Sequence, residues 1–248
     1  MTSTLGIELE WADIDRWHPV PSHLGVWSET DYTVVNSDGH ANDPTGASWR
    51  WGGEINTRPT ASPGEQAEIT RELAELYEPT INYKCNLHVH VRHPALVSPV
   101  GLSGDSWLVE DGSPAVAEYV GLLKRVAARM RDAEAFVYSA IDPLIKPTAE
   151  EFPDPDELIG AMRRYRRNLT SHHYSLPSAR FDEMMSAQSL AQFYDAHAPP
   201  AVSPGDPNTW RRAWHVAPRP GMNLRSLKKH GTIEFRHFPG TADPEEIL

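Results

Sequence analysis

Three short segments, far apart in the chain, place ionisable side chains at alternating positions. They are Gly6-Ile7-Glu8-Leu9-Glu10, Asn86-Leu87-His88-Val89-His90-Val91 and Gly231-Thr232-Ile233-Glu234-Phe235-Arg236. Strand side chains point to opposite faces with period two. Glu8 and Glu10 therefore share a face, as do His88 and His90, and Glu234 and Arg236. A sheet built from these strands has an apolar face for helices and a charged face for chemistry.

The rest of the chain supplies the helices. Residues 4–12, 49–56 and 84–92 read as strands, with a possible further strand near Tyr32–Asn36 within the loops of residues 13–48. Ile69, Leu73 and Leu76 give helical spacing over Pro63–Leu76, with Ser62 as N-cap and Pro63 at the first helical position. Pro114–Arg131 reads as a strong helix, followed by a second helical stretch over Ala133–Ser139. Asp156–Arg167 and Arg180–His197 are further helix candidates. Pro143–Pro155 and Pro199–Pro207 read as loops, and Met222–Leu227 and Thr232–Phe238 as strands paired across Lys228–Gly231. Helices between strands, with one tight strand–turn–strand unit, predict an α+β fold rather than a regular parallel repeat. The expected organisation is one domain over residues 1–248 with a helical elaboration at about 114–197.

Composition removes several function classes. A formal net charge of −11 argues against binding a nucleic-acid backbone. The basic stretches Lys124–Arg131 and Arg163–Arg167 are solvated helix faces or docking points for an acidic or phosphorylated substrate. No run approaches the roughly 20 apolar residues of a membrane span, and no signal segment opens the chain. The lone Cys85 excludes an internal disulfide, reads as a small buried hydrophobe, and suits a reducing cytoplasm, the expected location.

The charged face carries the chemistry. Glu8, Glu10 and Glu54 (in Gly53-Glu54) are acids able to converge, and buried together they would repel one another. A divalent cation removes that cost, and oxygen donors suit Mg²⁺ or Mn²⁺. The competing reading is the solvated face of an edge strand. His88 and His90 could ligate a metal or hold phosphate. Arg236 beside Glu234 places a phosphate-matching guanidinium next to a metal-binding acid, or forms a plain ion pair. His93 reads as a strand-end residue, and His172, His173 and His215 have no supporting pattern.

In this order the segments resemble the amidoligase family related to glutamine synthetase and glutamate–cysteine ligase. Gly53-Glu54-Ile55-Asn56 and Asn223-Leu224 complete the set, which runs from residue 6 to about residue 241. The resemblance implies a curved, mainly antiparallel sheet forming a funnel, with helices packed outside. It implies ATP-dependent amide formation, in which a carboxylate attacks the γ-phosphate and an amine displaces phosphate from the acyl phosphate. ATP and Mg²⁺ (or Mn²⁺) would be the cofactors, and small-molecule or peptide carboxylates and amines the partners. Glu10 and Glu54 would bind one metal, and Glu8, His88 and Glu234 the other. His90, Arg236 and Asn223 would face the nucleotide, with Arg236 and Glu54 in catalytic roles. Asn86 and Arg58 depart from the residues usual in the family. Relatives usually continue with more helix past the Asp243-Pro244-Glu245-Glu246 start, so the chain is compact or shortened. Arg58, Arg219 and Arg225 are candidates to grip a substrate carboxylate. The competing functions are a metal-dependent hydrolase on the same ligands and a non-catalytic binding protein.

Overall fold

Alternating apolar and polar residues in Thr4–Ala12, Gly52–Thr57, Asn86–Arg92 and Ile233–Pro239 form strands β1, β3, β4 and β6. Gly25–Glu29 is β2 and Met222–Asn223 is β5. The computed structural model describes residues 2–12, 14, 19–29, 52–81, 85–96, 113–141, 148–158, 161, 180–197, 221–224 and 226–248. The six strands make an open antiparallel sheet in the order β2-β3-β1-β4-β6-β5, and with its helices the architecture is α+β.

Position in the sheet decides one of the open alternatives. β1 is an interior strand between β3 and β4, and Glu10 is only 4% exposed. Its acids are not the solvated face of an edge strand.

The odd-numbered residues of β1 go the other way. Ile7, Leu9 and Trp11 pack with Ile55 and with Ile69 and Leu73 of helix α1, Pro63–Tyr77. Burying a side chain of this kind contributes about 1.5–3 kcal/mol, so the apolar face orients the whole sheet. Helix α1 starts as expected: Ser62 Oγ accepts from Glu65 N–H at 3.3 Å, and Pro63 follows. At the other end of the sheet, Ile233 and Phe235 pack with Leu123 of helix α2, Pro114–Ile141, and with Phe193.

Four expectations about elements change, the first being that Gly25–Glu29, inside the expected loops of residues 13–48, is a strand. Helix α2 is continuous for 28 residues, since no glycine or proline interrupts Arg131–Ile141. Arg180–His197 is two helices, α3 (Phe181–Ser186) and α4 (Leu190–His197). Ser189 Oγ accepts from Gln192 N–H at 3.1 Å, and Gln192 Oε1 accepts from Gln188 N–H at 2.7 Å. The Ser189 hydroxyl thus caps a new helix, and Gln192 reaches back to the residue before the cap. Finally, β5 is two residues long, and a short helix α5, Ser226–His230, replaces the rest of the expected strand. The physical cause is a tertiary contact: Leu224 N–H donates to buried His197 Nε2 at 2.9 Å, not to the sheet ladder.

The expected strand near Tyr32–Asn36, the loop 199–207 and most of the loop 13–48 lie outside the described residues. Of the Asp156–Arg167 candidate, residues 156–158 and 161 are described and are helical. Among the described residues, no helix is long and apolar enough to cross a membrane.

Candidate metal centre

Strand register brings the predicted residues together. Glu8 pairs with His88 across β1 and β4, Glu10 with Glu54 across β1 and β3, and His90 with Glu234 across β4 and β6. Directly opposed residues of an antiparallel pair lie close enough for side-chain contact. Asn223 of β5 pairs in turn with Glu234.

A bulge sets the far side of this face. Val89 pairs with Phe235 but Leu87 pairs with Phe238, so β6 carries an extra residue between those two pairs. Glu234 and Arg236 stay on the charged face, and Phe238 is returned to the apolar face, where it packs against the core.

At the centre is His88, 2% exposed. Its Nδ1 lies 2.8 Å from Glu8 Oε2 and 3.5 Å from Glu234 Oε1, and its Nε2 lies 3.5 Å from Glu10 Oε1. One ligand atom from each of Glu8, His88 and Glu234 can be chosen so that all lie within 4.8 Å of one another. Two carboxylate oxygens and an imidazole nitrogen in that space suit a divalent cation, the imidazole favouring Mn²⁺ over Ca²⁺.

The remaining residues hold these three and the neighbouring acids Glu10 and Glu54. Arg236 donates to Glu234 Oε1, and Asn223 Nδ2 donates to Glu234 Oε2 at 2.6 Å. Asn86 Nδ2 donates to Glu10 Oε2, and Asn56 Nδ2 to Glu54 Oε1 at 3.5 Å. His90 Nε2 lies 2.9 Å from Glu8 Oε1, and its Nδ1 is 2.9 Å from Thr232 Oγ1. Asn86 Oδ1 and His88 Nε2 are buried with no hydrogen bond, an arrangement a cation or substrate would relieve.

Charge is unevenly balanced. Burial alone would raise the Glu8 carboxyl, but hydrogen bonds and charge from His88 and His90 outweigh it and hold Glu8 well below the usual carboxylate range. Burial likewise works against Glu234, and Arg236 and His88 together bring it below its ordinary value. Burial would lower His90, yet its contact with Glu8 raises it. Glu8 and Glu234 are thus held ionised, ready to bind a cation.

The eight predicted site residues, Glu8, Glu10, Glu54, His88, His90, Asn223, Glu234 and Arg236, therefore all occupy one face. Other predicted positions do not join them. Cys85 is 1% exposed and packs in the interior. His93 follows the end of β4 and accepts from Ala95 N–H at 3.1 Å. Arg58 is exposed just beyond β3. Arg125 and Arg129 of the first basic stretch are exposed on α2. Arg219, Arg225, His172, His173, His215 and the second basic cluster lie outside the described residues. Sequence reasoning missed the part played by Asn86, whose place in the Asn-x-His-x-His alternation was the available signal. It also missed Thr232 and Ser226, for which only the tertiary contact is a signal.

Fold and site together define an α+β protein whose open antiparallel sheet carries a buried carboxylate–imidazole cluster able to hold a metal ion. No family model, curated protein or solved structure matches the chain.

Proposed function

We propose that the protein is an ATP-dependent carboxylate–amine ligase that uses Mg²⁺ or Mn²⁺ to form an amide bond through an acyl phosphate, on a funnel-like sheet of the glutamine synthetase kind. The observation that carries this reading is the convergence of Glu8, His88 and Glu234, contributed by three neighbouring strands, with Arg236 seated against Glu234. A site built only to bind a cation has no need of a guanidinium among its ligands. A site that must also hold phosphate does.

In this reading Glu8, His88 and Glu234 hold the cation that meets the ATP phosphates, and Glu10 and Glu54 hold one nearer the carboxylate. Bound there, the cations would draw negative charge from the phosphoryl oxygens during transfer. Arg236 offsets the charge that moves with the phosphoryl group, and Asn223 keeps Glu234 turned toward His88. His90 faces the nucleotide side. Asn86 holds Glu10 and leaves its own oxygen toward the same space.

Incubating the protein with ATP, Mg²⁺ and pooled amino acids and amines should release ADP and phosphate together with a new amide, read by mass spectrometry. Glu234→Gln should lower turnover by roughly 100-fold or more, the scale of losing one charged group from a transition-state site. Phosphate release with no coupled product across broad pools would remove the ligase reading. Metal-dependent turnover without ATP would put a hydrolase in its place, and absence of Mg-ATP binding by calorimetry a non-catalytic binder.

A further inference from the structure

We propose that Thr232 and Ser226 are positioning residues which, through His90, hold Glu8 in the orientation that faces His88 and Glu234. The proposal rests on reading Glu8, His88 and Glu234 as cation ligands.

Glu8 divides its oxygens between two imidazoles. Oε2 meets His88 Nδ1 at 2.8 Å, and Oε1 meets His90 Nε2 at 2.9 Å. That contact alone leaves the ring's other nitrogen to be placed by the residues beyond it. The anchor is on the other side of the ring. His90 Nδ1 lies 2.9 Å from Thr232 Oγ1 and 3.5 Å from Ser226 Oγ, and the two hydroxyls are 2.9 Å apart.

The fold builds this hydroxyl pair deliberately. Helix α5 begins at Ser226 and is closed just past His230 by Gly231, whose φ of +69° is a left-handed conformation that glycine adopts without steric cost. Gly231 N–H closes the turn on Leu227 O at 3.1 Å, and the chain then runs into β6 through Thr232. The first residue of the helix and the residue entering the strand are thereby placed side by side, and Ser226 is 4% exposed.

The order of donors follows from elementary chemistry. An ionised carboxylate only accepts, so neutral His90 is best placed with its proton on Nε2, toward Glu8. Nδ1 is then an acceptor and takes the Thr232 hydroxyl proton. Thr232 Oγ1 in turn accepts from Ser226. Every donor points the same way, from α5 toward Glu8, and this fixes both the tautomer and the rotation of the ring. Partners of this kind around a metal ligand are worth about 10–100-fold in metal affinity, and Thr232 acts one bond further out, at the lower end of that range.

The test uses the whole chain, Mn²⁺ alone as probe, and the variants Thr232→Val, Thr232→Ser and Ser226→Ala. Valine keeps the shape of threonine and removes the hydroxyl. Mn²⁺ affinity, read by electron paramagnetic resonance of the free ion, should fall about tenfold in T232V, less in S226A, and recover in T232S. In the metal-free protein, ¹⁵N shifts of neutral His90 should place the ring proton on Nε2, and T232V should redistribute it between the nitrogens. Wild-type affinity in T232V, or a T232S variant as weak as T232V, would overturn the proposal. So would a His90 proton on Nδ1, or a proton distribution that T232V leaves unchanged. Failure of the wild type to take up Mn²⁺ would remove the cation-site reading instead, and the ¹⁵N measurement would still decide whether Thr232 sets the tautomer.

Discussion

Glu8 and His88 face each other across the β1–β4 pair, with Glu8 Oε2 2.8 Å from His88 Nδ1. The nitrogen that meets the carboxylate is the one that also faces Glu234. Without a cation, Glu8 and Glu234 therefore share the His88 ring as their common partner. Each of these three residues can offer a cation one ligand atom.

Binding of Mn²⁺ should consequently stabilise the fold. At about 100 times its dissociation constant a ligand specific for the native state contributes about 2.7 kcal/mol. Glu8→Gln and His88→Asn should lose most of that gain. Thermal denaturation with and without Mn²⁺ measures it, and an equal rise in melting temperature in the variants would count against these ligands.

The metal-free protein should be most stable in mildly acidic solution as far as this cluster is concerned. Glu8 and Glu234 have folded values below their ordinary ones, so their contribution is present above about pH 4.5 and is lost as pH falls through the folded values. His90 is raised, so its contribution is complete below about pH 6.5 and is lost as pH rises through its folded value. The two conditions overlap between about pH 4.5 and 6.5. Urea midpoints compared between wild type and His90→Gln isolate the alkaline limb: the gap between them should shrink from pH 6 to pH 9. A gap that widens over that range contradicts the assignment.

A buried amide should prove as important to stability as any apolar residue nearby. Gln66, fully buried in α1, donates to Leu5 O at 2.8 Å and Arg58 O at 2.9 Å, and accepts from Thr57 Oγ1 at 2.8 Å. It ties α1 to β1 and to the end of β3. Gln66→Leu fills the space but strands those partners, at a cost of about 1–3 kcal/mol. Equilibrium urea unfolding measures this, and a change below about 0.5 kcal/mol would mean the amide is dispensable.

Gly240 should tolerate no side chain. A Cβ there would lie 2.6 Å from Cys85 C and 2.8 Å from Asn86 N, atoms of the backbone that leads into β4. Gly240→Ala should cost about 1–3 kcal/mol and weaken Mn²⁺ binding as β4 shifts. Gly64→Ala is the control, since its Cβ would meet nothing nearer than Ser62 Oγ at 4.0 Å. Equal unfolding midpoints for the two variants would refute the close approach at Gly240.

Much of the site was legible because strands have a period of two. That rule alone puts Glu8 with Glu10, His88 with His90 and Glu234 with Arg236, whatever the strands pair with. Helix α1 was legible for a similar reason: Ser62, Pro63 and the Ile69–Leu73 spacing are all local signals. The split between α3 and α4 was present in Ser189 and Gln192 but is easily overridden by continuous apolar spacing. The shortening of β5 was not legible, because it follows from a contact between Leu224 and His197, 27 residues away in the chain.

The chain by itself determined which side chains share a face, since that depends only on backbone geometry within each strand. Tertiary structure alone decided which faces meet. Placing β1 inside the sheet buried Glu10 and left Glu8 only partly exposed. The β4–β6 bulge returned Phe238 to the core. The turn at Gly231 brought Ser226 and Thr232 to His90. Each of these joins residues that are not strand neighbours within one segment, and no local periodicity encodes such a meeting.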